Sequence, residues 1–127
     1  MPIDRLLGQV DDLSAAELDE LPYGIIQLDG RGVILKYNAT ESQLARLPQQ
    51  EQIGKQFFVD VAPCTKVREF YGRFRAGVAA QALDETFHFH FPFLHGPRDV
   101  TVRMFYSKRT GSVWVIIADI DDVPPAA

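Results

Sequence analysis

The sequence has a single cysteine, one tryptophan and two methionines among its 127 residues. One cysteine excludes an intramolecular disulfide and any site built from several thiolates. No apolar run approaches the ~20 residues that a membrane span needs. Residues 1–12 carry charges throughout and lack the apolar stretch of a secretory signal, so a cytoplasmic location is expected. A basic excess is also missing. Thirteen Lys and Arg face seventeen Asp and Glu, a net charge of −4, and such a chain repels phosphate backbones, which argues against nucleic acid as a partner. Internal repeats, low-complexity stretches and linkers are absent. What is plentiful is aromatic: nine Phe and four Tyr in a chain that is 46% hydrophobic, enough for one core without staples.

The pattern along the chain predicts a short helical segment, a strand pair, several helices and three more strands. Ser14 and Glu17 have capping-box spacing, with Leu13, Leu18 and Leu21 able to share one side. Pro22 and Gly24 close that segment. Residues 24–29 and 33–37 read as strands joined by Asp29-Gly30-Arg31-Gly32, a hairpin turn in which glycine supplies positive φ. The glycine pair is not a dinucleotide loop, because a third glycine is missing and a strand follows. Residues 38–47 read as a helix ending at Pro48, and residues 48–54 hold a further helical turn. Residues 57–63 are apolar and lead to Cys64. The longest helix is expected over 69–82, with Phe70, Phe74 and Val78 on one face. Residues 86–93 alternate strictly, with Phe87, Phe89, Phe91 and Phe93 on one side. Residues 99–107 alternate likewise, and Thr110-Gly111 turns the chain into a last strand over 113–120.

This element order is that of a PAS domain, an α+β fold. It has a five-stranded antiparallel sheet with helices on one face and here an N-terminal helical cap on the other. One domain over 1–127 is expected, with a cap (1–21), a core (22–121) and a disordered tail (122–127).

Six segments carry a closer resemblance. They are Gly24-Ile25-Ile26-Gln27-Leu28-Asp29-Gly30, Tyr37-Asn38-Ala39-Thr40-Glu41, Ile53-Gly54-Lys55-Gln56-Phe57-Phe58, Asp60-Val61-Ala62-Pro63-Cys64-Thr65, Glu69-Phe70-Tyr71-Gly72-Arg73-Phe74 and Trp114-Val115. In order and spacing they are similar to the photoactive yellow proteins, blue-light receptors of the PAS fold. The resemblance implies 4-hydroxycinnamic (p-coumaric) acid held as a thioester on Cys64, since a thiolate attacks an activated acyl group readily. It implies that the Cys64 N–H bonds the thioester carbonyl. It also implies that the Tyr37 hydroxyl and a protonated Glu41 hydrogen-bond the buried phenolate, which needs strong donors. Ile26, Phe57, Val61, Ala62, Thr65, Phe89 and Phe91 are similar to pocket-lining positions.

Several positions depart from the family pattern. Ala45 stands where a Thr often joins the phenolate network. Leu47, with Arg46 beside it, stands where an Arg often covers the chromophore. Phe89 and Phe93 replace tyrosines, and His95 replaces a Met that helps the chromophore return to trans. These changes bear on colour and photocycle rate more than on attachment.

Taken as residues alone, the same positions have plainer readings. A lone Cys is commonly a small buried hydrophobe, and Asn38 with Glu41 has capping-box spacing, which would leave Glu41 in solvent. His88 and His90 form a His-x-His pair without an evident third ligand, so no metal site is expected. The function implied by the resemblance is light sensing. Trans-to-cis isomerisation is followed by protonation of the phenolate, from Glu41, and by loosening of the cap toward an unidentified signalling protein. The alternative is a chromophore-free PAS module that docks a protein or senses another ligand. An enzyme is not expected, because no nucleophile–base–orienter set is visible. A monomer or weak dimer is expected.

Overall fold

The computed structural model describes residues 2–119. The expected tail, with Ile120 and Asp121, lies outside them. Two short helices, α1 (Ile3–Leu7) and α2 (Ala15–Asp19), flank a 3-10 turn at Val10–Asp12. Ser14 caps α2 in a complete capping box: its hydroxyl accepts from Glu17 N, and the Glu17 carboxylate accepts from Ser14 N. Strands β1 (Gly24–Leu28) and β2 (Ile34–Tyr37) form the predicted hairpin. At its turn the Asp29 carboxylate accepts from the Arg31 and Val33 amides, and Gly32 adopts φ +91°, a conformation that glycine takes without strain.

Helices α3 (Ala39–Ala45) and α4 (Gln49–Gln52) follow. Phe57–Val61 and Arg68–Gly72 are π-helical turns on either side of a 3-10 turn at Pro63–Thr65, and the second runs into α5 (Arg73–Ala80). The helix expected over 69–82 is therefore two pieces. Its first turn closes through a wider bond from Gly72 N to Val67 O, and Gln81 at φ 53° ends it early. Strands β3 (Asp84–Phe91), β4 (Arg98–Ser107) and β5 (Ser112–Asp119) complete one antiparallel sheet of order β2-β1-β5-β4-β3. The strand expected to reach Phe93 stops at Phe91, where Pro92 has no N–H to give the ladder.

Period-two side-chain alternation sorts the sheet residues onto two faces. On one face Ile26, Leu28, Val100, Val102, Met104, Val113, Val115 and Ile117 pack with Phe57, Phe58, Phe70 and Phe74. Phe58 sits at the centre of this layer. Its ring meets those of Phe57, Tyr71 and Phe74 at centroid distances of 5.1, 4.8 and 4.9 Å. On the other face Ile25, Trp114 and Ile116 are covered by Ile3, Leu6, Val10 and Leu18 of the cap. The fold is thus the expected α+β PAS architecture, with helices on one face and the N-terminal cap on the other. No helix among the described residues is long and apolar enough to cross a membrane.

Candidate functional site

The end of β2 and the first turn of α3 bring together the two residues singled out in the sequence. Tyr37 closes β2 and Glu41 is the third residue of α3; they are 3% and 4% exposed. The Asn38 side chain does cap α3, accepting from Glu41 N at 3.0 Å. The reciprocal half of a capping box is missing, because Asn38 N already donates to Ile25 O of β1. The Glu41 carboxyl therefore turns inward rather than to solvent. It packs on Gly24, occupying the place where any side-chain carbon at that position would stand. Its Oε1 has no hydrogen-bond partner. Burial pushes the Glu41 carboxyl up to about 7, against a smaller pull downward from the Arg98 guanidinium. The Tyr37 hydroxyl is pushed well above its ordinary range, by burial first and by Glu41 second. Tyr37 therefore keeps its proton and Glu41 keeps its own below about 7, where both can donate.

They form one side of a cavity of about 10 Å³ together with Ala45 and Leu47. Phe57 and Val61 of the first π turn, with Ala62 just after it, form a second side, and Phe91 and Phe93 a third. The space holds about one water. Phe93 and Leu47 are each only half-buried, so these walls are the ones nearest solvent.

Cys64 stands in the 3-10 turn two residues beyond Ala62. It is half-buried and packs against the same aromatic layer. The turn is fixed by Thr65, whose backbone N–H and hydroxyl both donate to Ala62 O, at 2.9 and 2.6 Å. Burial raises the Cys64 thiol, and its own backbone N–H offsets part of that. Such a thiol reacts with an activated acyl group better than with an unactivated one.

The other sequence-selected residues divide by location. Ala45, Leu47, Phe57, Val61, Ala62 and Phe91 line the cavity with Tyr37 and Glu41. Ile26 lies behind Tyr37 as its cross-strand partner. Thr65 is buried in the turn, and Phe89 packs edge-on against Phe70 and Phe91 at 5.2 and 5.0 Å. None of these three contributes to the cavity wall. Arg46 is exposed, and its left-handed backbone, φ 56°, ends α3. His95 is also exposed and stacks on Phe93 at 5.1 Å, extending a row of three parallel rings that begins at Phe91. His88 and His90 face solvent, and His90 Nδ1 lies 2.8 Å from Asp99 Oδ1. Among the described residues no group of three or more His, Cys, Asp or Glu is placed to hold a metal.

Two further residues bear on this site: Asn38, which the sequence offered only as a helix cap, and Arg98, which it did not single out. Besides Glu41 N, the Asn38 carbonyl oxygen accepts from Ile25 N, and its amide donates to Leu18 O in α2 and to Tyr23 O. One side chain thus ties the site helix to the cap and to the central sheet. The other is Arg98, at the start of β4 opposite Phe91. Its Nη1 and Nη2 are buried and make no hydrogen bond.

Residues 14–120 match the family described as the PAS fold. The chain is 41% identical over 114 residues to the photoactive yellow protein of Rhodothalassium salexigens, covering 90% of this chain and 91% of that protein. It is 39% identical to the photoactive yellow protein of Halochromatium salexigens, with the same coverage. The solved photoactive yellow protein domain of the sensor histidine kinase Ppr from Rhodospirillum centenum is 42% identical. It covers 88% of this chain and 98% of that one, with a TM-score of 0.84.

Proposed function

Since the chain belongs to the photoactive yellow protein family of PAS-fold photoreceptors, we propose that it senses blue light through a 4-hydroxycinnamoyl group held as a thioester on Cys64. The observation that carries the reading is the pair of buried donors at one end of the cavity, Tyr37 and Glu41, with Glu41 Oε1 lacking any partner. A buried polar atom left without a partner costs about 1–3 kcal/mol and calls for a partner, which a bound ligand atom would supply. A phenolate oxygen is the acceptor that two such donors suit.

When bound, this group supplies the photochemistry, a light-driven trans-to-cis isomerisation. The residues do the rest. Cys64 anchors the acyl end, and its N–H is available to the thioester carbonyl. Tyr37 and Glu41 hold the far end, while Leu47, Phe91 and Phe93 keep water out. After illumination Glu41 gives up its carboxyl proton toward the ring oxygen and becomes a buried carboxylate. That charge is costly where the Glu41 carboxyl now lies, against Gly24. Asn38 shares the first turn of α3 with Glu41 and also bonds Leu18 and Tyr23. Strain at Glu41 therefore loosens the cap, which an unidentified signalling protein reads.

Incubation with activated 4-hydroxycinnamic acid tests the reading. The protein should turn yellow and gain the mass of one hydroxycinnamoyl group, while Cys64→Ala stays colourless and unmodified. A colourless, unmodified wild type, treated beside a relative that does colour, overturns it in favour of a chromophore-free PAS module.

A further inference from the structure

Among the described residues, three of the four buried side-chain atoms without a hydrogen-bond partner belong to Glu41 and Arg98. Arg98 has the parity of Val100, Val102 and Met104 on β4, so it lies on the face of the aromatic layer, not of the cap. Across the strand pair it stands opposite Phe91, a cavity wall. Its side chain is 15% exposed. Asp119 of β5 also lies on this face, with the parity of Val115 and Ile117, and its Oδ1 is 3.5 Å from Arg98 Nη2. That separation is an ion pair without a hydrogen bond, and Asp119 is 68% exposed, so solvent screens it. A guanidinium offers five donors and cannot shed its charge. Leaving its two terminal nitrogens buried without a hydrogen bond, with only a screened carboxylate nearby, is expensive unless a further anion forms beside it.

We propose that Arg98 is the counter-charge of the cavity, a guanidinium placed at the sheet end to stabilise the anion that forms at Glu41. The proposal rests on the light-sensing reading for its purpose, since that reading makes Glu41 a carboxylate once its proton has left. It does not rest on it for the geometry. With a cation already in place, proton loss from Glu41 costs less than in a purely apolar pocket. Of the charged and titratable groups around Arg98, Asp119 of β5 lies 3.5 Å away and Glu41 of α3 lies within reach of its charge, with Tyr37 of β2 on the same cavity wall as Glu41. Asp99 is taken up by His90 on the opposite face.

The test uses the chromophore-free protein, so that a failure to colour and a failure of this proposal are separate results. The Glu41 carboxyl is titrated by its infrared band or by carbon-13 at the side-chain carboxyl. Removing a nearby positive charge should make the proton harder to lose, so in Arg98→Gln the midpoint should rise by about one pH unit, a tenfold change. Arg98→Lys should return most of the way. An unchanged midpoint in a folded Arg98→Gln protein overturns the proposal. If neither variant folds, the side-chain nitrogen-15 resonances of Arg98 in the wild type decide. A step at the Glu41 midpoint that disappears in Glu41→Gln supports the proposal. A step only in the ordinary carboxylate range, surviving Glu41→Gln, assigns Arg98 to Asp119 and overturns it.

Discussion

The two faces of the sheet are held by different means. The cap face has a small apolar cluster latched by specific polar contacts. Asp11 accepts from Trp114 Nε1 at 2.7 Å and from the Ser107 hydroxyl. Arg103 pairs with both Asp4 and Asp84, and Arg109 with Asp12. The cavity face has a large aromatic layer with few polar contacts, and its unmatched polar atoms gather at one end, around Glu41 and Arg98. Directional contacts are lost together when geometry shifts, whereas apolar contact tolerates small displacements. The cap face is therefore held by contacts that a shift in geometry would break together, and the cavity face by contacts that tolerate such a shift.

The largest expected effect comes from breaking the aromatic face. Phe58→Ala removes the ring that touches Phe57, Phe70, Tyr71 and Phe74. It should lower global stability by about 3–5 kcal/mol in denaturant titration. A loss under 1 kcal/mol would mean that the layer repacks freely.

Next in size is the charge held out of water. In the unfolded chain Glu41 has an ordinary carboxylate value of 4.5; in the fold burial pushes it up to about 7. Between these values the native protein keeps a proton that the unfolded chain has released. Stability should therefore fall as pH rises from about 4.5 to 7, by roughly 3 kcal/mol, and then level off with respect to this group. Glu41→Gln should flatten that slope. Equal slopes in both proteins would place the titrating group elsewhere.

The smallest effect probes the latch. Asp11→Ala leaves the Trp114 N–H unmatched, a cost of about 1–3 kcal/mol. The loss should fall on cap docking. Amide exchange over residues 3–18 should quicken about tenfold or more, while the amides of β4 and β5 change little. Uniform quickening across the sheet would show that cap and core open as one unit.

Much of this architecture was legible in the sequence, for reasons that differ by element. The capping box at Ser14 and Glu17 is a local device, and local spacing predicts it. Strand alternation reports which side chains share a face, and Val100, Val102 and Met104 of β4 do join one core cluster. The π turn before α5 was not legible, since phenylalanines at four-residue spacing fit a wide turn as well as an ordinary one. The strand end at Phe91 was visible in Pro92 and was overrun by the regularity of the alternation. For Glu41 the local signal was ambiguous. A long-range contact, Asn38 N to Ile25 O, decides which way the carboxyl points. Arg98 lies wholly beyond local pattern, since a lone arginine after Gly96-Pro97 reads as a surface turn residue. Only the register of β3 with β4 puts it opposite Phe91 and under cover.

Gly24 bears on the site in a further way. The carboxyl of Glu41 rests in the space left by its missing side chain, so the depth of that carboxyl, and hence its hold on a proton, is set by an atom that is not there. Position 24 is thereby a volume dial for acidity. A single methyl group added on β1 would press the Glu41 carboxyl out toward water and make it the stronger acid, without altering any charge in the protein.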